Sequence, residues 1–194
     1  MRIGFIGLGN MGAPMAHNLA KAGHTVFGFD TQNVSVPMVD QLPSARDCAE
    51  KAEVVITMLP NGKILKSVAD QTIKHMKEGS IFLDCSTVDV ASAKNVAEIS
   101  DNYKIIALDA PVSGGIGGAK EGTLTFMVGG AKKGFEKVKK LFDIMGQKAV
   151  HCGGSGNGQS AKICNKLILG ATMIATCEAF ALADKLGLDR QAMF

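Results

Sequence analysis

The sequence lacks a large excess of charge of either sign, which argues against nucleic acid as a partner. Among its 194 residues, 21 are Lys or Arg and 18 are Asp or Glu, so the formal net charge is only +3. The densest basic tract, residues 132–140, also carries apolar residues at helical spacing, so its lysines are predicted to form the solvated face of a helix. We therefore expect no nucleic-acid partner.

Cysteine and histidine are present, but not in the spacings that hold metals or disulfide frameworks. The five cysteines are odd in number and include no C-x-x-C pair, and the four histidines are scattered along the chain. The cysteines are interpreted as reduced thiols of an intracellular protein. No metal site is expected.

The sequence also lacks a recognisable targeting segment and a long uninterrupted apolar run. Its longest uncharged stretch near the C-terminus, residues 167–177, is shorter than the about 20 residues that cross a bilayer. We therefore expect no membrane association. The location is predicted to be cytoplasmic, unless a transit peptide is absent from this version of the chain.

What the sequence does contain, close to its start, is a dinucleotide-binding fingerprint. An apolar run is followed by Gly7, Gly9 and Gly12 in the pattern G-x-G-x-x-G, and then by a helical pattern. In this motif the first glycine allows a tight turn, the second lets the backbone approach a pyrophosphate, and the third lets the helix pack on the strand. A second strand, residues 25–29, ends at Asp30, where an acid meets the ribose hydroxyls and favours NAD over NADP. The sequence therefore predicts NAD binding, with a glycine-rich turn that binds nothing as the alternative.

Strand and helix patterns alternate beyond this motif. Apolar runs typical of strands lie at residues 54–59, 81–83, 105–108, 124–128 and 149–152. Helical patterns separate most of them, including one that a capping box at residues 86–89 is predicted to open. The alternation predicts an α/β fold with a Rossmann-like, doubly wound and mostly parallel sheet.

The chain changes character after a glycine-rich segment, residues 153–158, which is interpreted as a flexible hinge. Residues 159–186 are nearly continuously apolar, which predicts one long helix that needs packing partners on most of its faces. Asp189 resembles the N-cap of another helix, and the chain ends soon afterwards. We predict a dinucleotide-binding domain over residues 1–158, and over residues 159–194 a long interdomain helix with the start of a truncated all-helical domain.

Polar residues follow several predicted strands at the carboxyl edge of the sheet, where open α/β sheets bind ligands. Residues 59–60 and 86–87 follow two of the strands, and a loop at residues 109–115 follows a third. In this loop Ser113 and the N–H groups of the glycines behind it form an arrangement that can hold a carboxylate. The alternative is a plain turn between strands.

The start of the long helix carries a candidate acid/base. Lys162 and Asn165 are three residues apart and share one helix face. A lysine on a helix is usually a solvated charge. Partial desolvation beside an apolar helix would instead lower its pKa toward the range useful for proton transfer.

Three segments together resemble the β-hydroxyacid dehydrogenase family, over essentially the whole chain. They are residues 5–12, the loop at 109–122 and the segment 156–165. The resemblance implies that NAD is held by Gly7, Leu8, Gly9, Asn10, Met11, Gly12 and Asp30, with Leu59, Pro60 and Thr87 lining its nicotinamide side. It also implies roles at the substrate: Ser113, Gly114 and Gly115 bind its carboxylate, Lys162 is the general acid/base, and Asn165 orients it.

The activity implied by this resemblance is hydride transfer from a small β-hydroxy acid to NAD, giving a semialdehyde. The best match is 3-hydroxyisobutyrate of valine catabolism, and reductases of tartronate or succinate semialdehyde share the motifs. Two other hypotheses stay open: a non-catalytic NAD-binding variant, and a shortened chain that associates with a full-length partner through the long helix. The resemblance further implies a homo-oligomer built through that helix, and the mitochondrial matrix as the location in a eukaryote.

The sequence departs from the family in three places. Lys166 stands where the family commonly has Asn, so a second positive charge would lower the pKa of Lys162 further or displace the substrate. The segment between Asp30 and Val54 is shortened. The resemblance also implies a helical domain that packs on the long helix, closes the site and builds the dimer interface, and we expect this chain to lack most of it.

Overall fold

The computed structural model describes residues 1–32 and 34–194, and its strands form one mixed sheet. The strands are β1 (Arg2–Ile6), β2 (Thr25–Phe29), β3 (Asp40–Gln41), β4 (Val54–Thr57), β5 (Ile81–Asp84), β6 (Ile106–Asp109), β7 (Val112–Ser113), β8 (Leu124–Gly130) and β9 (Gly146–Gly153). The helices are α1 (Gly12–Lys21), α2 (Ala45–Lys51), α3 (Gly62–Thr72), α4 (Val90–Asn102), α5 (Gly115–Glu121), α6 (Lys132–Met145), α7 (Asn157–Lys185) and α8 (Arg190–Met193). A 3-10 turn, Ile73–His75, follows α3.

The strand order is β3-β2-β1-β4-β5-β6-β8-β7, with β9 paired to β8. Neighbours from β3 to β6 are parallel, and so are β8 and β9, whereas β8 runs antiparallel to β6 and β7. The chain winds outward from β1 in both directions, so the strand order reverses between β1 and β4. This arrangement confirms the predicted Rossmann-like, doubly wound and mostly parallel sheet, and a crevice at such a reversal is where ligands bind.

Helices cover both faces of the sheet because successive side chains of its central strands point to opposite sides. On β4, Val54 and Ile56 join the apolar cluster that includes α1 and α6, while Val55 joins the cluster of α2, α3 and α4. All four residues of β4 are buried, which explains why the sequence shows a continuous apolar run there. On the first face, the rings of Phe126 and Phe142 pack with centroids 4.9 Å apart.

The predicted start of α4 is wrong by several residues. Its N-cap is Asp89, whose side chain accepts a hydrogen bond from Ser92 N, and the helix begins at Val90. Ser86 does not cap this helix, because its hydroxyl accepts a hydrogen bond from Leu59 N in the neighbouring loop. Three short elements, β3, β7 and α5, were not predicted, and β9 begins at Gly146, earlier than expected.

The glycine-rich segment before α7, predicted to be a flexible hinge, contacts the sheet closely through two of its glycines. Its flexibility stays a prediction. Gly156, the N-cap of α7 with φ +84°, donates its N–H to the carboxylate of Asp109. A Cβ on Gly158 would overlap the carbonyl oxygens of Asp109 and Met127. These glycines therefore allow the first turn of α7 to pack directly on the ends of β6 and β8.

Beyond its first two turns, α7 leaves the body of the protein. Most of its side chains from Ile163 to Leu182 are exposed, and Leu167 is 72% exposed. Of the helices in the described ranges, α7 is the one long and apolar enough to cross a membrane, with a mean hydropathy of 1.5. Length and composition alone give this result, and core helices of soluble proteins meet the same criterion. The absence of a membrane partner therefore stays a prediction.

Candidate functional site

The three glycines of the fingerprint differ in why the position suits glycine. Gly7 has φ +95°, and a Cβ there would overlap the carbonyl oxygen of Met58. A Cβ on Gly12 would overlap the carbonyl oxygen of Gly7, because α1 begins in contact with the end of β1. A Cβ on Gly9 would meet no atom of the described residues within 4 Å. Packing therefore requires Gly7 and Gly12, whereas Gly9 faces open space that a pyrophosphate can approach, and the cradle fits a dinucleotide.

Two adjoining open cavities of about 480 and 350 Å³ lie at the carboxyl ends of β1 and β4, and Leu59 and Pro60 line both. The larger is also lined by Gly7 and Asp30, and the smaller reaches Thr87. The residues predicted to hold NAD that border these cavities are Gly7, Gly9, Asn10, Met11, Gly12, Asp30, Leu59, Pro60 and Thr87. The side chain of Leu8, in contrast, is buried in the core.

The carboxylate of Asp30 is fixed at the end of β2 by backbone donors. It accepts hydrogen bonds from Leu8 N at 2.6 Å and from Gln32 N at 2.8 Å. Leu8 therefore contributes through its backbone, which ties the glycine turn to the acid. The carboxylate borders the larger cavity, where we expect the ribose hydroxyls.

Lys162 is buried close to the predicted carboxylate loop. It lies in the second turn of α7, is 5% exposed, and donates from Nζ to the carbonyl oxygen of Val112 at 2.6 Å. Burial, and secondarily the positive charge of Lys166, lower its pKa below the ordinary lysine value. Both causes agree with the sequence-based expectation. Because Val112 precedes Ser113, the structure brings the candidate base to the candidate substrate loop.

The loop itself is a junction between β7 and α5. Ser113 is partly buried at the end of β7, and Gly114 and Gly115 have φ values of +131° and +64°. Residues with side chains rarely adopt these conformations. Among residues 1–32 and 34–194, nothing lies within 4 Å of a Cβ built on Gly115, so the backbone here, like that at Gly9, faces open space.

Asn165 is not brought into this arrangement. It is exposed on α7, and its side chain makes no hydrogen bond to residues 1–32 or 34–194. Its proposed role at the substrate stays a prediction. Within those same ranges, no group of three or more His, Cys, Asp or Glu residues is arranged to hold a metal ion.

Two residues to which the sequence assigned no role fix the position of α7. The carboxylate of Asp109 accepts hydrogen bonds from Gly156 N at 2.7 Å and Gln159 N at 2.9 Å. Burial raises the pKa of Asp109. Gln159 is 1% exposed and reaches the loop that carries Thr87. The spacing of three residues between Gln159 and Lys162 is the one sequence signal that could have drawn attention to the glutamine.

Two family models together match nearly the whole chain. A model described as the NAD binding domain of 6-phosphogluconate dehydrogenase matches residues 2–154. A second, described as NAD-binding of NADP-dependent 3-hydroxyisobutyrate dehydrogenase, matches residues 156–194. Both descriptions name NAD binding, which confirms the predicted NAD cofactor.

Curated relatives are similar over nearly the whole chain. A probable 3-hydroxyisobutyrate dehydrogenase of Mycobacterium tuberculosis is 42% identical over 99% of this chain and 67% of its own length. The 3-hydroxyisobutyrate dehydrogenase of Pseudomonas aeruginosa is 47% identical over 96% of this chain and 65% of its own length. The mitochondrial human enzyme of that name is 44% identical over 96% of this chain and 58% of its own length. The chain thus spans about three fifths to two thirds of the length of these relatives.

Solved structures give the same result for the fold. The M. tuberculosis 3-hydroxyisobutyrate dehydrogenase with L-serine has a TM-score of 0.95 and 41% identity, over 98% of this chain and 67% of that one. An imine reductase from Myxococcus stipitatus, 16% identical, has a TM-score of 0.87 over 97% of this chain and 67% of that one. At that identity the second likeness concerns the fold alone.

Proposed function

The chain belongs to the 3-hydroxyisobutyrate dehydrogenase family, as the resemblance in its sequence implied, and on that premise we propose that it transfers a hydride from 3-hydroxyisobutyrate to NAD. The observation that carries the proposal is Lys162, which is buried, has a lowered pKa and contacts the loop that carries Ser113. A lysine in that state is suited to exchange a proton with a substrate hydroxyl.

We propose that the cleft between β1 and β4 holds NAD. The N–H groups at the start of α1 and the positive end of its dipole face the pyrophosphate over Gly9. The carboxylate of Asp30 accepts hydrogen bonds from the ribose hydroxyls, and Leu59, Pro60 and Thr87 line the nicotinamide side. When bound, NAD supplies the hydride acceptor.

The residues around Lys162 bind the substrate and move its proton. The hydroxyl of Ser113 and the N–H groups of Gly114 and Gly115 donate to the substrate carboxylate. This contact fixes which carbon faces the cofactor cleft. Nζ of Lys162, whose lowered pKa increases the neutral fraction, accepts the proton of the substrate hydroxyl, and in the reverse reaction returns it. Asn165 orients the substrate from the same helix.

The exposed part of α7 supports a further element of the proposal. Its apolar side chains, among them Leu167, Ile168 and Ile174, form a surface of the kind that mediates association. We propose that α7 begins the helical unit over residues 159–194 and contributes to a homo-oligomer. In a eukaryote we propose the mitochondrial matrix as the location; the names of the human and Dictyostelium relatives call those proteins mitochondrial.

The test is NADH formation by the purified chain with 3-hydroxyisobutyrate and NAD. The wild type is compared with Lys162→Ala, and Lys185→Ala, at the exposed far end of α7, serves as the matched control. We expect Lys162→Ala to lower kcat by about 100-fold or more, as loss of a general acid/base typically does, while NADH binding measured by its fluorescence is unchanged. Equal activity of the wild type and Lys162→Ala would contradict the proposed role.

The assay, run in both directions, separates the other hypotheses. Oxidation of NADH in the presence of tartronate semialdehyde or succinate semialdehyde, without NADH formation from 3-hydroxyisobutyrate and NAD, would assign the chain to a related reductase. NAD binding without turnover of any of these would favour the non-catalytic NAD-binding module. Turnover that appears only after a full-length relative is added would favour association through α7.

A further inference from the structure

Gln159 connects the start of α7 to the loop on the nicotinamide side of the cleft. Its Oε1 accepts a hydrogen bond from Val88 N at 3.1 Å, and its Nε2 donates to the carbonyl oxygen of Ser86 at 2.8 Å. These two backbone groups flank Thr87, which borders the cavity next to Leu59 and Pro60. One side chain therefore holds the backbone on both sides of Thr87.

The same residue is fixed on the side of the helix. Its backbone N–H donates to Asp109 at 2.9 Å, and its side chain is fully enclosed, with 1% exposure. Lys162 is three residues further along α7, on the same face. A movement of Gln159 relative to Ser86 would therefore move Lys162 relative to Thr87.

We propose that Gln159 is a positioning residue, which sets the separation between the Thr87 loop and Nζ of Lys162. The geometric part of this inference stands by itself, and its catalytic consequence rests on the function proposed above. Hydride transfer needs the substrate, the base and the cofactor side of the cleft in one geometry, and displacements of about 1 Å cost about 100-fold in rate.

The chemistry of the amide explains why glutamine suits this position. A planar amide offers one acceptor and a donor pair, so it satisfies an N–H and a carbonyl oxygen that face it together. An ionised glutamate keeps the acceptor for Val88 N and has no donor for Ser86 O. A methionine has a similar length, no donor and only a weakly accepting sulfur, so Ser86 O loses its donor and Val88 N loses its strong acceptor.

The first experiment measures hydrogen exchange at the amide of Val88 in the full chain without ligand. We expect Gln159→Met to speed this exchange by about tenfold or more, because its strong acceptor is gone. Gln71→Met is the matched control, since Gln71 is exposed on α3 and, within residues 1–32 and 34–194, its side chain donates only to Ser67. Gln159→Glu should keep Val88 protected. Unchanged exchange in Gln159→Met would refute the connection between α7 and the loop.

The second experiment tests the consequence for the site. We expect Gln159→Met to lower kcat by about 10- to 100-fold and to shift the fluorescence of bound NADH, with its Kd within about twofold of the wild type. Unchanged kcat would overturn the positioning role. A loss of NADH binding by the same factor as the loss of kcat, together with a lower thermal stability, would overturn it as well. Should the wild type turn over no hydroxy acid, the proposed function fails. The exchange and fluorescence results would still decide the position of the Thr87 loop.

Discussion

Asp84 provides a sharp test of the electrostatics beneath the site. It lies at the end of β5, is 2% exposed, and accepts hydrogen bonds through Oδ1 from the hydroxyl of Thr57 at 2.8 Å and from Ser86 N at 3.0 Å. Its other oxygen, Oδ2, is buried and has no hydrogen-bond partner among residues 1–32 and 34–194. Burial raises the pKa of this carboxyl from 3.8 to about 6, and the negative charge of Asp109 contributes.

A raised carboxyl pKa means that the folded protein holds the proton more tightly than the unfolded chain does. The contribution of Asp84 to stability is therefore full below pH 3.8 and declines as the pH rises toward 6, after which it stays low. The difference between 3.8 and about 6 corresponds to about 3 kcal/mol, at 1.36 kcal/mol per pKa unit. Asp84→Asn cannot ionise and keeps the acceptor toward Thr57 and Ser86, so this decline should disappear.

The assay is urea unfolding, followed by circular dichroism between about pH 4 and pH 8. The difference in free energy of unfolding between Asp84→Asn and the wild type should move by about 2.5 kcal/mol in favour of the variant across this range, because the first part of the decline lies below about pH 4. The slope is the diagnostic quantity, because a buried amide without an acceptor lowers the stability of the variant by about 1–3 kcal/mol at every pH. Asp101→Asn, an exposed change on α4, should follow the wild type. A decline in Asp84→Asn as steep as in the wild type would refute the reasoning.

Two further predictions concern the cofactor cradle and the base. Gly9→Ala should keep the thermal stability of the wild type, because its Cβ meets no atom of the described residues within 4 Å, and should weaken NADH binding by about tenfold or more, since the methyl group occupies the approach to the pyrophosphate. Gly12→Ala should lower both the thermal stability and the affinity for NADH, measured by thermal unfolding and by NADH fluorescence. Equal effects of the two variants on these quantities would contradict this account. Lys166→Asn should raise the pKa of Lys162 and move the acid limb of the kcat/KM profile to higher pH, whereas Lys185→Asn should leave it in place.

Short stretches of sequence were sufficient for the elements that local physics determines. The fingerprint at Gly7, Gly9 and Gly12 could be predicted because a turn, an approach path and a helix contact all lie within a few residues. The strand at β4 could be predicted because a strand buried on both faces needs a continuous apolar run. The direction of the pKa shift at Lys162 followed from an apolar helix and a charged neighbour four positions away. The contact of Lys162 with Val112 could not be predicted in this way.

The features that could not be predicted depend on contacts between groups far apart in the chain. Gln159 meets Asp109 across 50 residues and Ser86 across 73, so its spacing from Lys162 is a local signal but does not indicate which groups the side chain contacts. The start of α4 was mispredicted because Ser86, a good cap by its type, instead accepts a hydrogen bond from the neighbouring loop. Local sequence patterns were sufficient to predict the order of the main strands and helices, their periodicity and the chemical groups available to the site. Only the packed fold decided which of those groups are buried together, because desolvation and hydrogen-bond partners are properties of three-dimensional neighbours.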